Sequence, residues 1–343
     1  MGLSWFPANR RGRLRLTALL LLTGGGGITG ISCMISMPGR SHSGPLPPLT
    51  TDEAALRGRL ERHVRKLAGD IGERNVWTAG TLDAAAAYLR GELATAGYAV
   101  AEQTFEANGQ TVRNLEAERK GTTASEEIVI VGAHYDSVPG SPGADDNATG
   151  VAAVLEIAKS FASGPATAKT VRFVAFVNEE PPFFQTGEMG SRVCARRCRE
   201  RNENVVAMLS LETIGYYADA EGSQKYPAPF GWFFPNRGDF IGFVGNFGSR
   251  ALVRRAIGSF RAAAAFPSEG VAAPAALKGI GWSDQWAFWQ EGYPALMVTD
   301  TAPFRNPNYH TTGDTPDTID YDRLARVTAG LAGVVRELAD NRP

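Results

Sequence analysis

Ile128-Val129-Ile130-Val131-Gly132-Ala133 is an unbroken apolar run, and His134-Tyr135-Asp136-Ser137 follows it directly. A short run of this kind reads as a strand covered on both faces, as in parallel sheets flanked by helices. Residues 170–177, 205–211 and 294–298 have the same character. Helical patterns fall between these runs at 149–161, 188–201, 250–261 and 283–290, and a last one at 322–338. The alternation predicts an α/β fold, a three-layer αβα sandwich around a mixed, mainly parallel central sheet. Upstream, Ala55, Leu56, Leu60, Val64 and Leu67 recur at helical spacing, which predicts a helix to residue 70 capped by Thr51 or Asp52. A second helix over 81–96 is closed by Gly97, and two strands at 98–106 and 111–117 flank the hairpin signal Asn108-Gly109.

Composition narrows the function. The 343 residues are 43% hydrophobic and 21% charged, enough for a sizeable core. Lys+Arg 35 against Asp+Glu 36 leaves a net charge of −1, so there is no electrostatic footprint for nucleic acid. Three cysteines exclude a disulfide scaffold and a cysteine-based zinc module. With four histidines in all, a metal site must lean on carboxylates. Arg10, Arg11, Arg13 and Arg15 precede an uncharged stretch over 16–39, which reads as an export signal or membrane anchor. The Arg pair and Cys33 also invite twin-arginine and lipoprotein readings, and neither fits well. Residues 40–50, rich in proline and serine, read as a linker, and 51–343 as one catalytic domain.

Ligands of such sheets bind beyond the C-terminal strand ends. His134 and Asp136 follow the first run; Asp145, Asp146 and Asn147 stand before the next helix. Glu179-Glu180 follow the second run, Glu212 the third, and His310 lies beyond the fourth. Each alone has a structural explanation, such as helix capping for 145–147. Adjacent Glu179 and Glu180 after a buried strand repel one another unless a cation or a shared proton compensates. Five segments delivering such residues to one edge point to a metal site. Nitrogen and carboxylate oxygen suit zinc, and two zinc ions are balanced by three carboxylates and one hydroxide.

At these residues the sequence resembles the zinc aminopeptidase family that includes bacterial leucyl aminopeptidases, aminopeptidase S, glutamate carboxypeptidase and glutaminyl cyclase. The matching segments begin at Gly132, Gly143, Asn178, Gly187 and Tyr309, in the family's order. The resemblance implies that His134 and Glu212 hold one zinc, Glu180 and His310 the other, and that Asp146 bridges the two Zn ions. It implies Glu179 as general base, Asp136 as the group orienting His134, and a cis bond at Asp146–Asn147. The implied activity is exopeptidase hydrolysis of a peptide substrate, most simply removal of N-terminal residues, through a metal-bridging hydroxide. Glu212 stands where many members have Asp, and Gln285 where many have His, so Gln285 receives no ligand role and Asp284 at most a supporting one. Two alternatives stay open: a one-zinc glutaminyl cyclase-like transferase using Asp146, Glu180 and His310, and a non-catalytic anchored binding ectodomain.

Several residues are left unassigned. Pro181-Pro182-Phe183-Phe184 either lines a pocket or covers the sheet. Cys194 and Cys198 read as free core thiols, with the arginines around them as a solvated face. Trp282, Trp286 and Trp289 read as core or pocket wall. Side-chain preference depends on segments 218–235 and 266–278, which read as loops without a motif.

Overall fold

The computed structural model describes residues 30–228 and 230–340. The chain divides into two compact units, Met1–Ser36 and Met37–Pro343. Of the first, the described part holds a helix at 30–35, and residues 1–29, which carry most of the expected signal or anchor, lie outside the described residues. Among the described residues no helix is long and apolar enough to cross a membrane.

The second unit is built on one eight-stranded sheet. Its strands are β1 (Val100–Ala107), β2 (Gln110–Arg119), β3 (Ala124–His134), β4 (Lys169–Phe176), β5 (Asn204–Glu212), β6 (Ile241–Gly245), β7 (Ser268–Ala272) and β8 (Ala295–Thr299), in the order β1-β2-β4-β3-β5-β8-β6-β7. The central β4-β3-β5-β8 block is parallel, as is β6 with β7. The junctions β1/β2, β2/β4 and β8/β6 are antiparallel. The helices are α1 (Thr51–Val64), α2 (Thr81–Thr95), α3 (Gly150–Ser163), α4 (Gly190–Glu200), α5 (Arg250–Ala263), α6 (Gln285–Gln290), α7 (Ala302–Arg305) and α8 (Tyr321–Asp340).

Strand alternation sorts the side chains into two cores. Val129, Val131 and Ala133 of β3 face the larger core, with α1, α2, α3, α5 and α8. Ile128 and Ile130 face the smaller one, with Cys194 and Cys198 of α4 and Ala287 and Phe288 of α6. This is the expected three-layer arrangement. Both cysteines are free and buried, as their composition and place suggested.

The structure corrects several local expectations. β6 and β7 were not foreseen, and β7 lies inside the segment read as the 266–278 loop. The first helix is capped by Thr50, whose hydroxyl accepts from the Glu53 amide while Glu53 accepts from the Thr50 amide. This capping box fixes the helix start one residue earlier than expected. Its last turns, Arg65–Ile71, are π-helical and end at Gly72, where φ is 78°. The arginines of α4 are a solvated face only in part: Arg196 and Arg199 are exposed, whereas Arg197 pairs with Glu116 and Arg192 with Glu291. Residues 40–50 run without regular structure but are tied down: the Ser41 hydroxyl accepts from the Ser268 amide at 2.8 Å, and Arg326 donates to the Pro47 carbonyl. Just before them, Arg261 donates to the Pro38 carbonyl, and Met37 packs against the larger core.

His63 is buried between α1 and α3. Its Nδ1 lies 2.6 Å from the Tyr88 hydroxyl and its Nε2 3.0 Å from Glu156, which Arg59 also contacts. Burial pushes the Glu156 carboxyl up, but His63 and Arg59 outweigh it and hold it at about 2. The carboxylate therefore stabilises the fold fully above its ordinary value of 4.5, and the contribution is lost as pH falls through about 2. Glu156→Gln is expected to cost about 2 kcal/mol at pH 7, after discounting for solvent screening. Thermal unfolding at pH 7, 5 and 3 should show the deficit shrinking as acid is added.

Candidate metal centre

The parallel strands end along one edge, and alternation there sets which side chains turn toward the α4/α6 face. His134 closes β3 and Glu212 closes β5, both in the same parity as Ile130 and Met208 of the smaller core. Glu179 and Glu180 come from the turn after β4, Asp146 from the turn Ala144–Thr149 that enters α3, and His310 from the loop after α7. All six residues proposed from sequence as ligands or base meet here.

Asp146 stands at the centre. One of its oxygens is 3.2 Å from Nε2 of His134, and the other is 3.1 Å from Nε2 of His310. Glu212 approaches His134 Nε2 at 3.2 Å, and Glu180 approaches His310 Nε2 at 3.2 Å. The result is two triads, His134/Asp146/Glu212 and Asp146/Glu180/His310, each with one atom per residue within 4.8 Å of the others. Glu179 lies 3.9 Å from His134 Nε2. Asp136 sits behind: one oxygen is 3.4 Å from His134 Nδ1, and its two oxygens accept the amides of Glu179 and Glu180 at 3.1 Å each. The Asp146–Asn147 peptide is cis, as the resemblance implied.

Electrostatics match a site built for cations. Burial first, and then the neighbouring acids, push the Glu179 carboxyl well above the carboxylate range, although His134 opposes. Burial and Asp146 lift Glu180 to about 7, and burial lifts Glu212. Burial opposes protonation of His310, but Asp146 and Glu180 raise it to about 10; His134 is likewise held well up by Glu212 and Glu179. Asp146 is pulled below its ordinary value against burial by the two imidazoles. Excess carboxylates thus retain protons for want of positive charge. The short nitrogen–oxygen approaches are not aligned as hydrogen bonds. His134 Nε2, His310 Nε2 and one oxygen of Asp146 are buried without a partner. Such orphans cost about 1–3 kcal/mol each, and a divalent ion in each triad would satisfy them. The nitrogen and oxygen donors fit zinc.

Sequence reading missed the scaffold of this site. Arg74, fully buried, donates to the carbonyls of Leu67, Gly72, Tyr135, Pro142 and Gly143, bracing both ends of the loop between His134 and Asp146. Burial lowers its guanidinium to about 10, still charged at neutral pH, with Asp136 and Asp314 opposing the fall. Asp314 accepts the amides of Asp145 and Asp146. Ser283 donates to Glu212 at 2.6 Å, which steadies the longer Glu side chain. Asp284 is fully buried with both oxygens unpartnered, and burial pushes it up to about 7. Arg74 carries no motif, because its partners are main-chain carbonyls, whereas Asp314 lies within the matching segment that begins at Tyr309 and Asp284 was already allowed a supporting role. Arg74→Met is expected to cost at least about 3 kcal/mol by orphaning several carbonyls at once. Chemical denaturation would measure it, with wild-type stability as the contrary result. Phe183 of the proline-rich segment is buried against Trp77, ring centroids 5.8 Å apart, and so covers the protein interior.

The fold and site define a class: α/β proteins with a shared carboxylate between two His/acid triads at the C-terminal edge of a mixed sheet. The model of peptidase family M28 matches residues 114–335, and the chain belongs to that family. It is 37% identical over 292 residues to Uncharacterized protein YfbL of Escherichia coli, covering 82% of this chain and 88% of that protein. It is 28% identical over 229 residues to Probable leucine aminopeptidase 1 of Trichophyton verrucosum, covering 63% of this chain and 55% of the relative. The chain thus spans about half the length of that fungal relative. Among solved structures, BSAP, a zinc aminopeptidase from Bacillus subtilis, superposes with a TM-score of 0.68 at 16% identity, covering 83% of this chain and 95% of BSAP.

Proposed function

We propose that this protein is a zinc-dependent aminopeptidase that hydrolyses N-terminal residues from peptides. The observation that carries the reading is Asp146, with its two oxygens each within 3.2 Å of a different imidazole. His134 and Glu212 would hold one ion, Glu180 and His310 a second, and Asp146 both. Zinc held there supplies Lewis-acid polarisation of the scissile carbonyl. Glu179, beside His134, takes the proton of the attacking water and returns it to the leaving amine. Asp136 keeps His134 and the main chain of both glutamates in register. Membership of the family, and the names of the fungal and Bacillus relatives, support the activity. A one-ion cyclase would need only the Asp146/Glu180/His310 triad; the complete second triad and the base favour hydrolysis, and equally disfavour a non-catalytic ectodomain.

Elemental analysis should find about two equivalents of zinc per chain, and aminoacyl p-nitroanilides should be cleaved where amino-blocked ones are not; one equivalent with cyclase activity would overturn the reading. Since Glu180 and His310 hold protons up to about 7 and 10, zinc must displace them. Zinc affinity of chelator-stripped protein is therefore expected to rise from pH 6 to 9, with proton release. Calorimetry in buffers of different ionisation enthalpy reads both. The arginines at 10–15 and the uncharged stretch over 16–39 support export across, or anchoring to, the cell membrane. Fractionation of cells expressing the chain with and without residues 1–39 tests this.

A further inference from the structure

An apolar cavity opens beside Glu212, walled by aromatic side chains including Phe230, Phe234, Trp282 and Phe304. Its floor is the sheet, and the registers place a single row of residues across it. Glu212 of β5 pairs with Thr299 of β8, Thr299 with Gly242 of β6, and Gly242 with Glu269 of β7. All four residues line the cavity. Val271, two residues beyond Glu269, also lines it, and the side-chain direction of Gly270 between them, whose main chain is part of the lining, points to Met37 and Ile257 on the opposite face. Glu269 and Glu212 therefore stand on one face three strand spacings apart, about 14 Å between their backbones. The two intervening positions are a threonine and a glycine, which leave the floor low.

Glu269 is the singular group in this cavity. It is half-buried, and its carboxylate has no hydrogen-bond or ion-pair partner among the described residues. Burial lifts its carboxyl, with Arg261 opposing and Asp239 reinforcing. Arg261 is committed to Ser268 and Pro38. Lys278, the cation among the cavity's lining residues, lies over the Trp282 ring, 5.7 Å from its centroid. A half-buried carboxylate with no protein partner among the described residues, at the far end of an aromatic slot, is placed to take the counter-charge of a ligand that fills the slot. Four methylenes of a lysine, or the stem of an arginine, would lie along the apolar walls while the cationic head reaches the acid.

We propose that Glu269 is a specificity-determining residue that selects substrates whose N-terminal residue is lysine or arginine. This rests on the aminopeptidase reading above and adds the side chain it prefers. Wild-type zinc-loaded enzyme is expected to cleave arginyl p-nitroanilide at least tenfold better, in kcat/KM, than the citrullinyl analogue, which has nearly the same shape and no charge. Binding of free L-arginine and L-citrulline, measured by calorimetry, should differ in the same direction. Glu269→Gln should bring the arginine-to-citrulline ratio down to about unity, and Glu269→Asp should restore much of it. Equal handling of arginine and citrulline by the wild type, with leucyl substrate cleaved, overturns the subsite and leaves the aminopeptidase intact. A ratio that survives Glu269→Gln also overturns it. If zinc binds but no aminoacyl substrate is cleaved, the underlying activity fails and takes the subsite with it.

Discussion

Replacing Glu179 with glutamine is expected to lower kcat for peptide hydrolysis about 10²- to 10⁴-fold while leaving zinc content at the wild-type level. Glutamine keeps the size of the side chain, and the contact from Asp136 goes to the main-chain amide of residue 179, so it survives the change. What is lost is the capacity to carry a proton. The Glu179 carboxyl is held high by burial and by Glu212, Glu180 and Asp284 around it, with only His134 opposing. A group in that environment gains a usable proton affinity near neutral pH once cations balance the surrounding acids. Parallel measurement of turnover and of bound zinc separates this from a ligand role. Normal turnover in the variant would remove Glu179 from the chemistry, and loss of zinc along with activity would make it a ligand.

Asp146→Ala is expected to reduce bound zinc from about two equivalents to fewer than one, and kcat/KM at least about 10³-fold. The reason is geometric: Asp146 is the one residue common to both triads. His310→Ala is the control, because it dismantles one triad and leaves His134, Asp146 and Glu212 together. That variant should retain about one equivalent. The comparison reads out sharing directly, since two independent sites would make the two substitutions cost the same amount of metal. Retention of two equivalents in Asp146→Ala would end the shared-carboxylate arrangement.

The parallel centre of the sheet was legible because β3, β4, β5 and β8 are covered on both faces and so read as unbroken apolar runs. β6 and β7 were not, for reasons visible in their residues. Ile241-Gly242-Phe243-Val244-Gly245 and Ser268-Glu269-Gly270-Val271-Ala272 carry glycine where neighbours press close: a Cβ at Gly245 would meet Val253 at 2.5 Å, and one at Gly270 would meet Met37 at 2.8 Å. Glu269 faces a cavity, so β7 lacks a second apolar face. At the site, the ligand candidates were legible because they sit at strand ends, where position alone gives them meaning. Arg74 looks like any arginine in a polar segment, and its use depends on carbonyls brought from residues 135–143. Asp314 was inside a segment that resembles the family, yet its role in holding the amides of Asp145 and Asp146 needs coordinates.

β7 is one of the two edge strands of the sheet, and its first amide is claimed by Ser41 while Met37 lies against its glycine. The prolines and serines that compositionally announce a spacer thus act as a selvedge, finishing a border that would otherwise invite pairing with a second molecule. A recombinant chain trimmed to begin at Thr51 would lose that hem. Light scattering of the trimmed and full-length folded units should show the shorter one self-associating, and protein chemists choosing a start for expression would do better to keep Met37.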